Sequence, residues 1–452
     1  MAWTLRDKSD MIWAGEMLRF LNIHPKGDMI MIGFLKGLWE RWSIRGIVFF
    51  KWTAFACLIG ALVGAVGYVF HTAVDMATVF RQAHPYFIYF LPAAGVMILA
   101  MYQLCGLPHD PGTNYVLVAV RENAPIRLRM APLIIISTVI THLFGGSSGR
   151  EGAALQMGSS ISDRLGRWMG LGDKDERIIM MCGMAAGFSA LFGTPLAASV
   201  FAMEVCSVGV MYYAAIFPCI LSALIAALLV HTLGGHPTAF SLAEIPELTY
   251  AVLPKVILLG ILCAAAAILV CTVFGTFHRF FVRYIPKPYL RIAAGGALVI
   301  VLTLLSGTRA YNGAGMDSIE AALAGQARPE AFLLKMVFTA VTLGSGFKGG
   351  EIVPALFIGA TFGCTCGGVL GLPAGFAGAL GMGAVFCGVT NCPLTAVLLS
   401  YELFGGAGLP LFALCIAVSY MLSGYRGLYS EQKIMYSKYS AEFVGKRSGD
   451  ES

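Results

Sequence analysis

The stretch FGGSSGREGAALQMG, Phe144–Gly158, sets an arginine beside a glutamate among five glycines, in a chain that is only 12% charged. Apolar runs flank it on both sides. Ionisable residues at membrane depth face the protein interior or a water-filled cavity, and they are functional more often than not. Glycines let backbone approach closely, and the first N–H groups of a helix have no intrahelical acceptor. A helix expected over Ala153–Leu165, opening at Gly149–Gly152, therefore offers free N–H groups and the positive end of its dipole. That is a ready anion site. A second glycine pair, Gly349–Gly350, precedes another apolar helix, expected over Ile352–Val369.

The surrounding chain has 452 residues and is 58% hydrophobic, where a soluble domain is about 45–50% apolar and about 25% charged. Apolar runs recur at Ile47–Phe70, Tyr86–Leu104, Ile178–Met203, Met211–Val230, Val252–Gly275 and Ile292–Leu305. Runs of roughly 18 or more such residues are membrane-helix candidates. The expected fold class is an all-α polytopic membrane protein. Residues 1–45 mix charges with apolar pairs, which suits a cytoplasmic or interfacial segment and not a cleavable signal peptide. Residues 1–51 hold eight Lys/Arg against five acids, and Thr276–Arg291 carries four basic residues and no acid. Thr232–Tyr250 has Glu244 and Glu247 and no Lys or Arg. The positive-inside rule puts the first two stretches, and both termini, in the cytoplasm and the third outside, in an inner or plasma membrane. The basic residues are thus a topology signal, and no nucleic-acid partner is expected. Twelve cysteines are scattered through apolar segments without partner ligands, so neither a metal nor another cofactor is expected.

Two apolar segments are too short to span. Met130–Phe144 and Ala331–Leu343 reach only about 20–23 Å of a core about 30 Å thick. Each stops at a glycine-rich stretch, as broken helices do where they line a protected cavity. The sequence also repeats itself. GMAAGFSALFGTPLAASVFAME (Gly183–Glu204) matches GMGAVFCGVTNCPLTAVLLSYE (Gly381–Glu402) in its Gly-to-Pro and Pro-to-Glu spacings. GREGAALQMG likewise lies over GEIVPALFIG. Opposite charge bias at the ends of the halves makes these inverted-topology repeats, about 46–231 and 252–430, with broken helices meeting at mid-membrane. The transmembrane domain is expected over 46–430. Residues 431–452 are expected as a short cytoplasmic tail with no regulatory domain.

Two helix N-termini brought together by the repeat would hold a dehydrated anion without the full positive charge that would trap it. A carboxylate can occupy the same seat, so protonating Glu151 would vacate it. Glu151 is then both gate and proton carrier. Arg150 is read as structural, holding loop carbonyls or the site's potential, and the alternative for the pair is a buried salt bridge between helices. Glu204 and Glu402 sit at equivalent places in the repeats, which favours a shared helix-packing role over proton carriage. His142 reads as a satisfied core histidine. Phe347 is a weaker candidate to line the path.

GREG opening one helix, GEIVP opening its partner and a late GLYSEQ together resemble the CLC family of chloride channels and anion/proton antiporters, over roughly residues 45–435. The resemblance implies a homodimer with a separate anion path in each subunit, and makes Glu151 the gating glutamate of GREGA (Gly149–Ala153). It assigns Gly149, Arg150, Gly152 and Gly350 to the anion site, with the backbone amides of Ile352 and Val353 facing the ion. Tyr429 matches the tyrosine that closes the inner side. Thr113 in PGTNYV matches the family's inner serine, with Asn114 as rival. The typical antiporters carry an inner proton-transfer glutamate where Val205 stands, and Glu351 appears beside the anion-binding amides instead. This combination is similar to the fluoride-exporting bacterial branch, although Val353 stands where that branch usually has threonine.

The expected function is therefore halide transport, as proton-coupled fluoride export. A chloride channel or Cl⁻/H⁺ antiporter of the same fold is the alternative. A membrane-embedded enzyme using Glu151 or Glu351 as acid/base is a remote third, because no accompanying nucleophile or metal constellation is present. A carboxylate beside an anion repels it by about 4 kcal/mol at about 4 Å and an effective dielectric near 20. Glu351 is accordingly expected to hold a proton when an anion is bound, and to donate a hydrogen bond that fluoride accepts better than chloride. A Glu351–Lys348 pair at the cytoplasmic lip is the competing reading.

Overall fold

The structure is a computed structural model; it describes residues 25–107, 112–235 and 238–451, with side chains from residue 45 onward. Of the segment expected over 1–45, residues 1–24 lie outside the described residues, and 25–45 are helical. The chain forms two units, residues 1–54 and 55–452. The first half contributes helices α1 (Pro25–Ala83), α2 (Leu91–Leu104), α3 (Thr113–Glu122), α4 (Met130–Leu143), α5 (Glu151–Trp168), α6 (Asp173–Phe192), α7 (Pro195–Glu204) and α8 (Ile216–Thr232). The second contributes α9 (Val252–Tyr284), α10 (Pro288–Ser306), α11 (Met316–Leu323), α12 (Ala331–Ser345), α13 (Ile352–Leu370), α14 (Ala374–Thr390), α15 (Pro393–Phe404) and α16 (Leu409–Leu422).

Among the described residues, six helical stretches are long and apolar enough to cross a membrane, while α4, α7, α12, α14, α15 and α16 are shorter apolar helices. The break between long and short is written in glycine and proline. The apolar run Ile178–Met203, taken from the sequence as one span, is in fact two helices. Gly193 adopts the left-handed conformation (φ 70°) that ends α6, and Pro195 opens α7 at the position where a missing N–H does no harm.

The repeats are related by a local two-fold, and two contacts reveal it. A Cβ on Gly183 would fall on the Gly158 carbonyl oxygen, and one on Gly381 would fall on that of Gly359. Both helix crossings, α5 on α6 and α13 on α14, thus need glycine for backbone-to-backbone approach. The second contact is a reciprocal cap. Glu204, ending α7, accepts the N–H groups of Leu394 (3.2 Å) and Thr395 (2.9 Å) at the start of α15. Glu402, near the end of α15, accepts those of Leu196 (2.9 Å) and Ala197 (2.8 Å) at the start of α7. Two helices that cap each other in this way run antiparallel, and each carboxylate sits at the positive end of a dipole. These caps fit the helix-packing role expected of the two glutamates.

The segment after α16 is folded. Lys433–Tyr436 (β2) pairs with Ser207–Val208 (β1) in parallel and with Phe443–Arg447 (β3) antiparallel. Gln432, fully buried, anchors the start of β2. Its amide donates to the carbonyls of Val205 (3.0 Å) and Thr390 (2.8 Å) and accepts from Asn391 (3.0 Å).

Candidate functional site

The two glycine-rich loops meet and bond to each other. Gly149 N–H donates to Gly350 O at 2.7 Å, and Gly350 N–H donates back to Gly149 O at 2.7 Å. The short helices α4 and α12 deliver these loops, and α5 and α13 leave from them. The free N–H ends of α5 and α13 therefore converge on one seam between the repeats. A Cβ on Gly350 would stand 2.9 Å from the amide nitrogens of both Glu151 and Gly152. Glycine keeps that space open.

Glu151 is 1% exposed and turns its carboxylate back over the seam. Oε2 accepts the N–H of Arg150 at 3.0 Å and that of Val353, from the opposite repeat, at 3.4 Å. Oε1 is buried with no hydrogen-bond partner. A negatively charged group thus already sits on amides that have no acceptor within their own helices. Ile352 is fully buried beside it.

Arg150 and Glu151 do not pair with each other. The guanidinium of Arg150 reaches Asp75 on α1 at 2.9 Å, and Asp75 also meets His71 Nε2 at 3.2 Å. The ion pair that Arg150 makes between helices is thus with Asp75, and the alternative of a salt bridge to Glu151 is not what the structure has. His142 is fully buried but only half satisfied: Nε2 lies 3.4 Å from Gly149 O, while Nδ1 has no partner.

A cavity of about 820 Å³ is lined by Thr113, Gly152, Gly350, Glu351 and Tyr429 among others. A second, of about 430 Å³, is lined by Asp75, Arg81, Arg150, Glu151, Asn312 and Val353 among others. Glu151 borders the smaller cavity, while the next residue on its helix, Gly152, borders the larger. Thr113 and Asn114 both border the larger cavity but have different partners. Thr113 Oγ1 donates to Gly152 O (3.4 Å) and accepts from Gln156 Nε2 (3.2 Å), whereas Asn114 Oδ1 accepts the N–H of Glu431 (3.3 Å) in the C-terminal segment. Tyr429 is 3% exposed, and Phe347 also borders the larger cavity. Glu351 caps α13 and faces the same space, with no hydrogen bond or ion pair to its carboxylate among the described residues. Lys348 places its ammonium 4.6 Å from the Tyr102 ring centre.

Asp75, Arg81 and Lys335 escaped the sequence reading. Lys335 carried a signal, being the only charge within the Ala331–Leu343 run. Asp75 carried none, since its partner is on a distant helix.

Inverted repeats whose broken helices aim N-termini at a buried seam, with cavities bordering it, define a membrane transport protein for anions. The chain belongs to the CLC family: the family model described as voltage gated chloride channel matches residues 108–424. A chloride/fluoride channel protein of Pseudomonas syringae pv. tomato is 38% identical over 86% of this chain and 88% of its own length. A voltage-gated ClC-type chloride channel of Escherichia coli is 29% identical over 69% and 77%. Among solved structures, a CLC-type fluoride/proton antiporter superposes with a TM-score of 0.83 at 34% identity, covering 85% of this chain and 98% of that one. A slow cyanobacterial Cl⁻/H⁺ antiporter shares the fold, with a TM-score of 0.71 at 20% identity.

Proposed function

We propose that this protein is a proton-coupled fluoride exporter, acting as an F⁻/H⁺ antiporter. The observation that carries the reading is the Glu151 carboxylate seated on the Val353 amide of the opposite repeat, at the edge of the smaller cavity. Carboxylate and halide compete for the same N–H groups. When a proton neutralises Glu151, its hold on those amides weakens and an anion takes the seat; when the proton leaves, the carboxylate returns and displaces the ion. Gly149, Arg150, Gly152, Gly350, Ile352 and Val353 form the seat, and Thr113 and Tyr429 bound its approach from the larger cavity. Glu351, facing that cavity without a partner among the described residues, also carries a proton and donates to fluoride. A named fluoride/proton antiporter and a chloride/fluoride channel among the similar proteins support fluoride as the ion.

The larger cavity, bordered by Arg279, Arg291 and Arg426, opens to the cytoplasm in this reading, as the excess of basic residues there favours. Residues 46–430 are the transport domain, both termini are cytoplasmic, and inward proton movement across the inner or plasma membrane drives fluoride out. Exposed apolar residues of α8, including Phe217, Leu224 and Leu228, fit a homodimer contact in the membrane. Fluoride and chloride efflux from proteoliposomes, read with ion-selective electrodes under an imposed pH gradient, tests the function. Acid-driven fluoride accumulation is expected. Halide efflux indifferent to the gradient would make the protein a passive channel.

A further inference from the structure

The single charge of the Ala331–Leu343 run, Lys335, is completely buried. Its ammonium donates to the carbonyls of Tyr311 (3.2 Å) and Gly313 (2.6 Å) and lies 5.2 Å from the Phe357 ring centre. Among the described residues no carboxylate stands within salt-bridge distance of it. A lysine kept at membrane depth with no carboxylate beside it among the described residues calls for a use. The turn that Lys335 grips reaches onward to the first glycine loop. Gly313 N–H donates to Gly146 O at 3.0 Å, and Asn312 Nδ2 donates to Gly145 O at 2.8 Å.

Thr339 and Thr342 follow Lys335 at i+4 and i+7, on the same face of α12. Both touch that loop directly. Thr339 Oγ1 is 2.9 Å from Ser147 Oγ, and Thr342 Oγ1 accepts the Ser147 N–H at 3.1 Å. Thr342 gives its own hydroxyl proton to Phe338 O at 2.8 Å, so its oxygen is fixed as an acceptor. All three side chains are buried. The same helix then ends at Ser345 and leads into the second glycine loop.

We infer that α12 is the ruler of the anion site. Its Lys335–Thr339–Thr342 stripe holds the Gly145–Gly149 segment in place against the Gly349–Gly350 loop that the helix itself carries. It thereby fixes the distance between the two sets of N–H groups, and with it the size of anion that fits. These are positioning residues, for they reach the seat only through the loop. The inference rests on the proposed function for the identity of the favoured ion, and not for the spacing itself.

The test is the fluoride-to-chloride flux ratio in proteoliposomes for wild type, Thr342→Val and Thr342→Ser. Valine matches threonine in shape and leaves the Ser147 N–H unpaired, and serine restores the acceptor. The ratio should fall about tenfold in Thr342→Val, the scale of one buried hydrogen bond, and stay within about twofold of wild type in Thr342→Ser. Lys335→Met should shift the ratio in the same direction, and Thr339→Val does the same service if a variant fails to fold. A Thr342→Val protein with the wild-type ratio, or a Thr342→Ser protein as altered as Thr342→Val, overturns the inference. A wild type that prefers chloride sinks the fluoride reading alone, since the response of the ratio to the hydroxyl still decides the ruler.

Discussion

Glu151 holds its place with one oxygen and leaves the other buried and unpartnered. An unpaired buried acceptor is expensive, so the seated carboxylate is one proton away from release. Glu151→Gln keeps the size and removes the ionisation. Acid-driven fluoride accumulation should fall by at least about a hundredfold, the usual scale for losing a positioned proton carrier, and undiminished pumping in a pH-jump assay would remove Glu151 from the gate. Glu351→Gln separates two roles. If Glu351 carries a proton and donates to the ion, the variant loses coupling and about tenfold of its fluoride preference. If Glu351 only tunes the cytoplasmic lip, the rate changes while both properties persist. That Glu151 and the amide of Val353 would stand together at helix starts was legible from GREG and GEIVP, because helix-start chemistry is local. The partner of Arg150 was not, because Asp75 lies on another helix and only the fold brings it near.

The elements carry a duplication that sequence spacing exposed through Gly183, Gly381, Glu204 and Glu402, and packing explains why those residue types recur. The reciprocal caps yield a paired prediction. Glu204→Ala and Glu402→Ala should each destabilise the protein by about 0.5–2 kcal/mol, as lost caps do, seen as similar drops in melting temperature in detergent. Fluoride–proton coupling should survive in both. A coupling defect confined to Glu204→Ala would return that residue to the proton path. The helix starts after Gly149–Gly152 and Gly349–Gly350 were readable from their glycines. The break at Gly193 and Pro195 was missed although both residue types mark it, because the chain stays apolar across it and reads as one run. The C-terminal sheet was hidden for a different reason: β2 depends on Ser207–Val208, more than 200 residues away, so no local pattern announces it.

At the scale of the whole molecule, the lipid-facing surface is dominated by exposed apolar side chains such as Leu228 and Leu305, as a bilayer solvent demands. The α8 face is expected to be shared with a second copy. Cysteine cross-linking at Phe217 or Leu224 should trap a dimer in native membranes, and a particle that stays monomeric at every such position contradicts the homodimer. The backbone joint between Gly149 and Gly350 has a mechanical consequence. Many inverted-repeat carriers achieve alternating access by rocking one half against the other around a central site. Here the proposed seat is the weld itself, closed by two 2.7 Å bonds. Rocking would tear that weld at every turnover. The halves are therefore expected to stay still while side chains move, so spin labels placed on opposite repeats should report one unchanging distance across the transport cycle.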